Sequence, residues 1–259
     1  MTGGRLLRAH LLVVYAFLYL PIAVLVALSF NRSGLPTVWS GFTTEWYGRL
    51  LDNDDIRDGL RNTLVVATGA TVLATVFGTL LAVGLHRFVR NPILEGVLLA
   101  PAVLPDIVLA VGLLTLFTTI DLTLGLRSVL LSHTLFCMAF VTAVVRTRLG
   151  HIDNSLEEAA RDLGDTTAGA FVRITLPSLA PGILAGALLS FTLSLDEFVI
   201  AFFTNGPSNP TLPQVIYSSV RFGVKPDVNA LATVLLLVST SAVLFAQRVG
   251  GVAGALERR

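Results

Sequence analysis

The sequence predicts an all-α membrane protein with six transmembrane helices, and three observations carry that prediction. Of its 259 residues, 54% are hydrophobic and only 14% charged, and the mean hydropathy of +0.78 lies well outside the range of soluble domains. The charges fall in short stretches between long apolar blocks, and the net charge of +1 gives no sign of nucleic-acid binding. The blocks lack the period-two alternation of barrel strands and are far longer than such strands, which leaves helices.

A helix rising 1.5 Å per residue crosses the hydrocarbon core in about 20 residues. Six blocks meet this length, near residues 10–30, 62–85, 96–119, 128–145, 182–204 and 229–247, forming one transmembrane domain over 1–259. The first follows Arg5 and Arg8 as a signal peptide would, but it is long enough to span and no small-residue cleavage site follows it. The second carries Gly69, Ala70, Ala74, Gly78 and Ala82, a row that lets a neighbouring helix approach closely. In the third, Pro101 and Pro105 are expected to kink or locally open the helix beside Asp106. The fourth holds Cys137, the sole cysteine, and His133, both read as packing residues. No ligand spacing suggests a metal, no nucleophile has a positioned base, and no cofactor is expected.

Positively charged short loops stay in the cytoplasm. With the amino terminus inside, the inner segments hold Arg87, Arg90, Arg146, Arg148, Arg161, Arg173, Arg248, Arg258 and Arg259 besides Arg5 and Arg8. The outer segment 31–61 holds Arg32, Arg49, Arg57 and Arg61, so the bias is moderate. That segment also contains Gly34, Pro36, an acidic cluster from Asp52 to Asp58, and Trp39 and Trp46, read as interfacial anchors. The outer loop 205–227, with Pro207, Pro210, Pro213 and Pro226, is expected to be shaped.

The inner loop 153–181 is too polar to span and too patterned to be slack. Ser155 followed by Glu158 matches a capping box, so a helix is expected to begin there. Leu156, Ala159, Ala160 and Leu163 form one apolar stripe, with Glu157, Arg161 and Asp162 largely off it. Gly164 ends the helix, and Asp165, Thr166 and Thr167 can cap a second short one over 168–172. An amphipathic helix so placed either docks in a partner's groove or lies on the lipid surface.

The run Glu158-Ala159-Ala160, then Gly164, then Ile174-x-Leu176-Pro177 resembles the EAA loop of the inner-membrane permeases of binding-protein-dependent ABC importers. The resemblance implies a type I ABC importer permease (MetI-like) fold in the prokaryotic inner membrane. It also implies a cytoplasmic coupling helix in which Glu158, Ala159, Ala160, Leu163 and Gly164 contact an ATP-binding subunit, and both termini in the cytoplasm. Implied partners are the ATP-binding subunits, a second homologous permease subunit and an extracytoplasmic substrate-binding protein. The stretches Ser194-Leu195-Asp196-Glu197-Phe198, Gly206-Pro207, Thr211-Leu212-Pro213 and Val224 to Thr233 resemble the spermidine/putrescine branch.

A phosphate-cradling loop needs Gly-x-x-x-x-Gly-Lys-Ser/Thr, whereas the single lysine, Lys225, precedes Pro226. ATP hydrolysis is therefore expected on partner subunits and not on this chain. Asp106, Asp196 and Glu197 fall within apolar blocks, where a carboxylate costs about 2.5 to 3.5 kcal/mol to insert. Two readings stand: the acids line the path of a cationic substrate, or they pair helices and lock the bundle. Asp196 and Glu197 point about 100° apart on a helix, and Asp196 is the better candidate for the path. The rival from another class is an ion-coupled secondary transporter, in which Asp106 or Asp196 binds a proton or sodium.

Overall fold

The structure is a computed structural model describing residues 3–33, 38–88, 91–153, 155–221 and 226–256. Gly34, Pro36, Arg90, Val224, Lys225, Arg258 and Arg259 lie outside the described residues. In chain order the helices are α1 (Gly3–Leu28), α2 (Glu45–Asp52), α3 (Asp54–Arg87), α4 (Pro92–Leu99), α5 (Asp106–Thr119) and α6 (Leu126–Leu149). They continue as α7 (Ser155–Asp162), α8 (Thr167–Ala170), α9 (Leu176–Asp196), α10 (Val199–Thr204), α11 (Leu212–Arg221) and α12 (Pro226–Leu256). Among the described residues, four stretches are individually long and apolar enough to cross a membrane: Leu7–Leu28, Asp54–Arg87, Leu126–Leu149 and Thr167–Asp196. The bent pair Pro92–Ala102 and Asp106–Thr119 makes a fifth, and α12 adds the shorter apolar stretch Pro226–Ser241.

Two expected spans are interrupted. The third, read as 96–119 with a kink, is two helices bent by 100°. Proline has no N–H to donate, and at Pro101 the chain tightens into a 3₁₀ turn over Ala100–Ala102. The amides of Val103 and Leu104 both return to the Ala100 carbonyl, and α5 restarts after an extended Pro105. The fifth, read as 182–204, begins earlier at Leu176 and stops at Asp196. Glu197 is extended, and its Oε1 accepts from the Ile200 amide at 2.9 Å, which opens α10.

The chain folds as two compact units, one comprising Met1–Arg57 with Val215–Arg259 and the other Asp58–Gln214. In the first, α12 packs against α1 and α2. The apolar window of α1 buries none of its residues within the chain. The outer segment is organised by Asn31: its Oδ1 accepts from the amides of Ser33 and Ser40, and its Nδ2 donates to the Val38 carbonyl. Trp46, expected as an interfacial anchor, donates its indole N–H to the Asn31 carbonyl at 2.7 Å, while Trp39 remains exposed.

In the second unit α6 is central and packs most extensively along α9. The buried core includes Leu113 and Phe117 of α5, Phe136, Val141 and Val145 of α6, and Leu179 and Ile200. The small-residue row of α3 packs as expected, with Ala70, Ala74 and Ala82 fully buried. A Cβ on Gly78 would lie 2.9 Å from the Val141 Cβ and 3.0 Å from the Met138 carbonyl oxygen. His133 is buried and shares a 2.8 Å hydrogen bond through Nδ1 with the Ser194 hydroxyl, which pins α6 to α9. The turn 205–214 is held by Gln214, whose Oε1 accepts from Asn205 Nδ2 and the Thr211 amide and whose Nε2 donates to the Ala201 carbonyl. Its shape thus comes from hydrogen bonds as well as prolines.

Candidate functional site

The loop after α6 is built by local hydrogen bonding. Asp153 Oδ1 accepts from the Ser155 amide at 2.9 Å, so the carboxylate that opens α7 stands two residues before the serine expected to cap it. The helix closes at Gly164, whose φ of +92° favours a residue without a side chain. There the Asp165 amide reaches the Ala160 carbonyl and the Gly164 amide the Arg161 carbonyl, a crossed pair typical of such helix ends. Thr166 Oγ1 accepts from the Gly169 amide at 3.0 Å and opens α8. The expected second helix is a single turn, because Phe171–Thr175 winds as a π-helix before α9 begins.

No residue of α7 is buried. Leu156 and Leu163 are 53% and 90% exposed, Glu158, Ala159 and Gly164 are also exposed, and Ala160 is half-buried. The predicted coupling residues therefore sit together on α7 and the turn that follows it, and the two leucines of the apolar stripe are uncovered within the chain. Leaving apolar side chains in water forgoes roughly 1.5–3 kcal/mol for each leucine, which a partner groove would recover.

Glu157, off that stripe, points the other way. Arg87, in the last turn of α3, donates Nη1 to Oε1 at 3.0 Å and Nη2 to Oε2 at 2.5 Å, a forked pair. The Thr175 hydroxyl donates to the same Oε2 at 2.6 Å, and the guanidinium carbon lies 5.0 Å from the Phe171 ring centroid. The side chains of Arg87 and Glu157 are only 24% and 13% exposed. Sequence reasoning missed this cluster because Arg87 lies 70 residues from Glu157 and 88 from Thr175, beyond any periodic signal.

The Arg87 hydrogen bonds hold the Glu157 carboxyl below its ordinary 4.5, with Thr175 adding to the shift and burial opposing it. A depressed folded value means that the contact contributes stability above the unfolded pKa and loses it as pH falls through the folded one. Spin labels placed at Asp162 and Phe88, both exposed, are expected to report one narrow distance from neutral pH to below the ordinary carboxylate value of 4.5, and a broad one only at the more acidic pH where Glu157 finally takes up its proton. Glu157→Gln should give the broad distribution throughout.

The three membrane carboxylates converge on helix ends. Asp106 is the first residue of α5, at the 100° bend, Asp196 is the last of α9, and Glu197 lies in the break before α10. Helices α5 and α10 pack together, and the charges of Asp106 and Asp196 both repel Glu197. Asp106 and Asp196 are exposed on the isolated chain, whereas Glu197 is half-buried and engaged by the Ile200 amide.

A family model described as the binding-protein-dependent transport system inner membrane component matches residues 74–251. The chain belongs to that family. Among relatives of this permease, the spermidine/putrescine transport system permease protein PotC of Escherichia coli (strain K12) is 43% identical, covering 95% of this chain and 94% of PotC. The putrescine transport system permease protein PotI of the same organism is 44% identical over 87% of this chain and 84% of its own length. Among solved structures, a bacterial ABC transporter involved in the import of the acidic polysaccharide alginate superposes with a TM-score of 0.75 at 15% identity, covering 95% of both chains. The MetNI methionine ABC transporter gives 0.60 at 20% identity, covering 79% of this chain and 95% of its own. The permease therefore has the MetI-like ABC importer fold expected from its loop.

Proposed function

We propose that the chain, acting over 1–259 as one permease domain, lines half of the translocation path of a polyamine importer that carries spermidine or putrescine. The carrying observation is its 43–44% identity, over nearly the whole chain, to permeases named for those substrates. The chemistry agrees, since Asp106 and Asp196 put negative charge at helix breaks where a polyammonium ion loses hydration. In this reading Glu158, Ala159, Ala160, Leu163 and Gly164 dock α7 on an ATP-binding subunit, which alone hydrolyses ATP. A second homologous permease completes the path, and an extracytoplasmic binding protein meets the outer loops. Both termini lie in the cytoplasm, which the arginine bias supports, as does the bonding of Arg87 to the coupling loop at one end of the second unit.

The test is co-purification with the ATP-binding subunits and partner permease, followed by substrate-stimulated ATP hydrolysis with and without Glu158→Ala. Loss of assembly, or at least a ten-fold loss of stimulation, is expected while the variant still inserts. Full uptake with no ATP-binding subunit present would overturn the importer reading in favour of an ion-coupled carrier.

A further inference from the structure

We infer that Arg87, Glu157 and Thr175 form the strut through which motion of α7 reaches the membrane helices, an inference resting on the reading of α7 as the coupling helix. Helix α7 buries no residue, and Leu156 on it and Leu163 just after it are exposed, so buried apolar packing does not fix it to the bundle. Beside it lies a cavity of about 320 Å³ whose lining includes Arg87, Glu157, Glu158, Arg161 and Thr175. Side chains bridge that hollow at Glu157. Both of its oxygens are engaged, one by Arg87 Nη1 and the other by Arg87 Nη2 and the Thr175 hydroxyl.

The two anchors belong to different helices. Arg87 ends α3, while the buried Thr175 closes the π-helix that leads into α9. A guanidinium fork grips a carboxylate in a fixed plane, so the contact resists twisting as well as pulling, which a point-charge lysine does not. The guanidinium carbon also lies 5.0 Å from the Phe171 ring centroid, a cation–π contact that adds to its hold. A push or pull on α7 is thereby delivered to α3 and α9 together. Arg87 and Glu157 act as positioning residues, since neither belongs to the exposed face assigned to the ATP-binding subunit.

The experiment uses the complete importer in proteoliposomes and reads putrescine taken up per ATP hydrolysed, alongside the quantity of ATP-binding subunit bound. Arg87→Ala and Glu157→Ala are each expected to lower that ratio about ten-fold with the subunits still bound. The double variant should be no worse than the poorer single, because both remove one contact. Arg87→Lys should restore only part of the ratio. An unchanged ratio, multiplying losses in the double variant, or release of the subunits in proportion to lost uptake would each overturn the strut. Glu158→Ala separates the two levels. If that variant binds the subunits and transports normally, the coupling reading beneath the strut falls; if it behaves as expected while Arg87→Ala keeps the ratio, only the strut falls.

Discussion

Asp106→Asn and Asp196→Asn are each expected to lower polyamine uptake about ten-fold, and the double substitution about a hundred-fold, in an importer that still assembles. Asparagine keeps the shape of aspartate, removes the charge and replaces one acceptor oxygen by an NH2 donor. A hydrogen bond to a charged group contributes about 1.5–3 kcal/mol, and 1.4 kcal/mol is ten-fold in affinity. The two positions are electrostatically unlike. Asp106 starts α5, where the helix dipole favours a carboxylate, whereas Asp196 ends α9, where it favours a cation. Asp196 and Glu197 are adjacent in sequence, so an ammonium arriving at the end of α9 meets two carboxylates. Proteoliposome uptake, normalised to assembled complex, decides the matter. Normal uptake would return these acids to the role of helix braces, and failure to assemble would show that they pair helices.

Gly78→Leu should have the largest effect on stability. Its Cβ would meet the Val141 side chain at 2.9 Å and the Met138 carbonyl oxygen at 3.0 Å, and a backbone oxygen in mid-helix cannot swing aside. Thr142 adds a hydrogen bond to the Gly78 carbonyl at 3.2 Å, so α3 and α6 are fastened at this height. Overpacking costs about 1–3 kcal/mol for a few added methylenes, and a leucine here should exceed about 3 kcal/mol. Gly84, on the same helix, faces open space, and Gly84→Ala should leave thermal unfolding in detergent unchanged or slightly raised. Equal melting of both variants would show that α3 and α6 do not pack tightly at Gly78.

The features legible in the sequence were those set within a few residues. Apolar blocks of membrane length located the helices, Gly164 marked the end of α7, and Thr166 marked the start of α8. Prolines announced a disturbance beside Asp106 but not its size, since a 100° bend depends on where the freed carbonyls find donors. The break at Glu197 had no signal, because neither glycine nor proline stands there and the cause is a side chain capping the next helix. Of the loop 153–181, the exposed face followed from periodicity and motif. The inward face did not, because Glu157 finds its partner on a helix 70 residues earlier.

The π-helix Phe171–Thr175 has a consequence for how far that loop reaches. A π turn closes from i to i+5 instead of i+4 and so holds one residue too many for the α-helix it joins. Absorbing that residue would advance the register of everything beyond it by one position, and one position is about 100° about the helix axis. Asp196 closes the same helix about 30 Å further on and would swing with it. The residue that sets which way the far carboxylate of α9 looks thus lies beside the point where Thr175 meets Glu157.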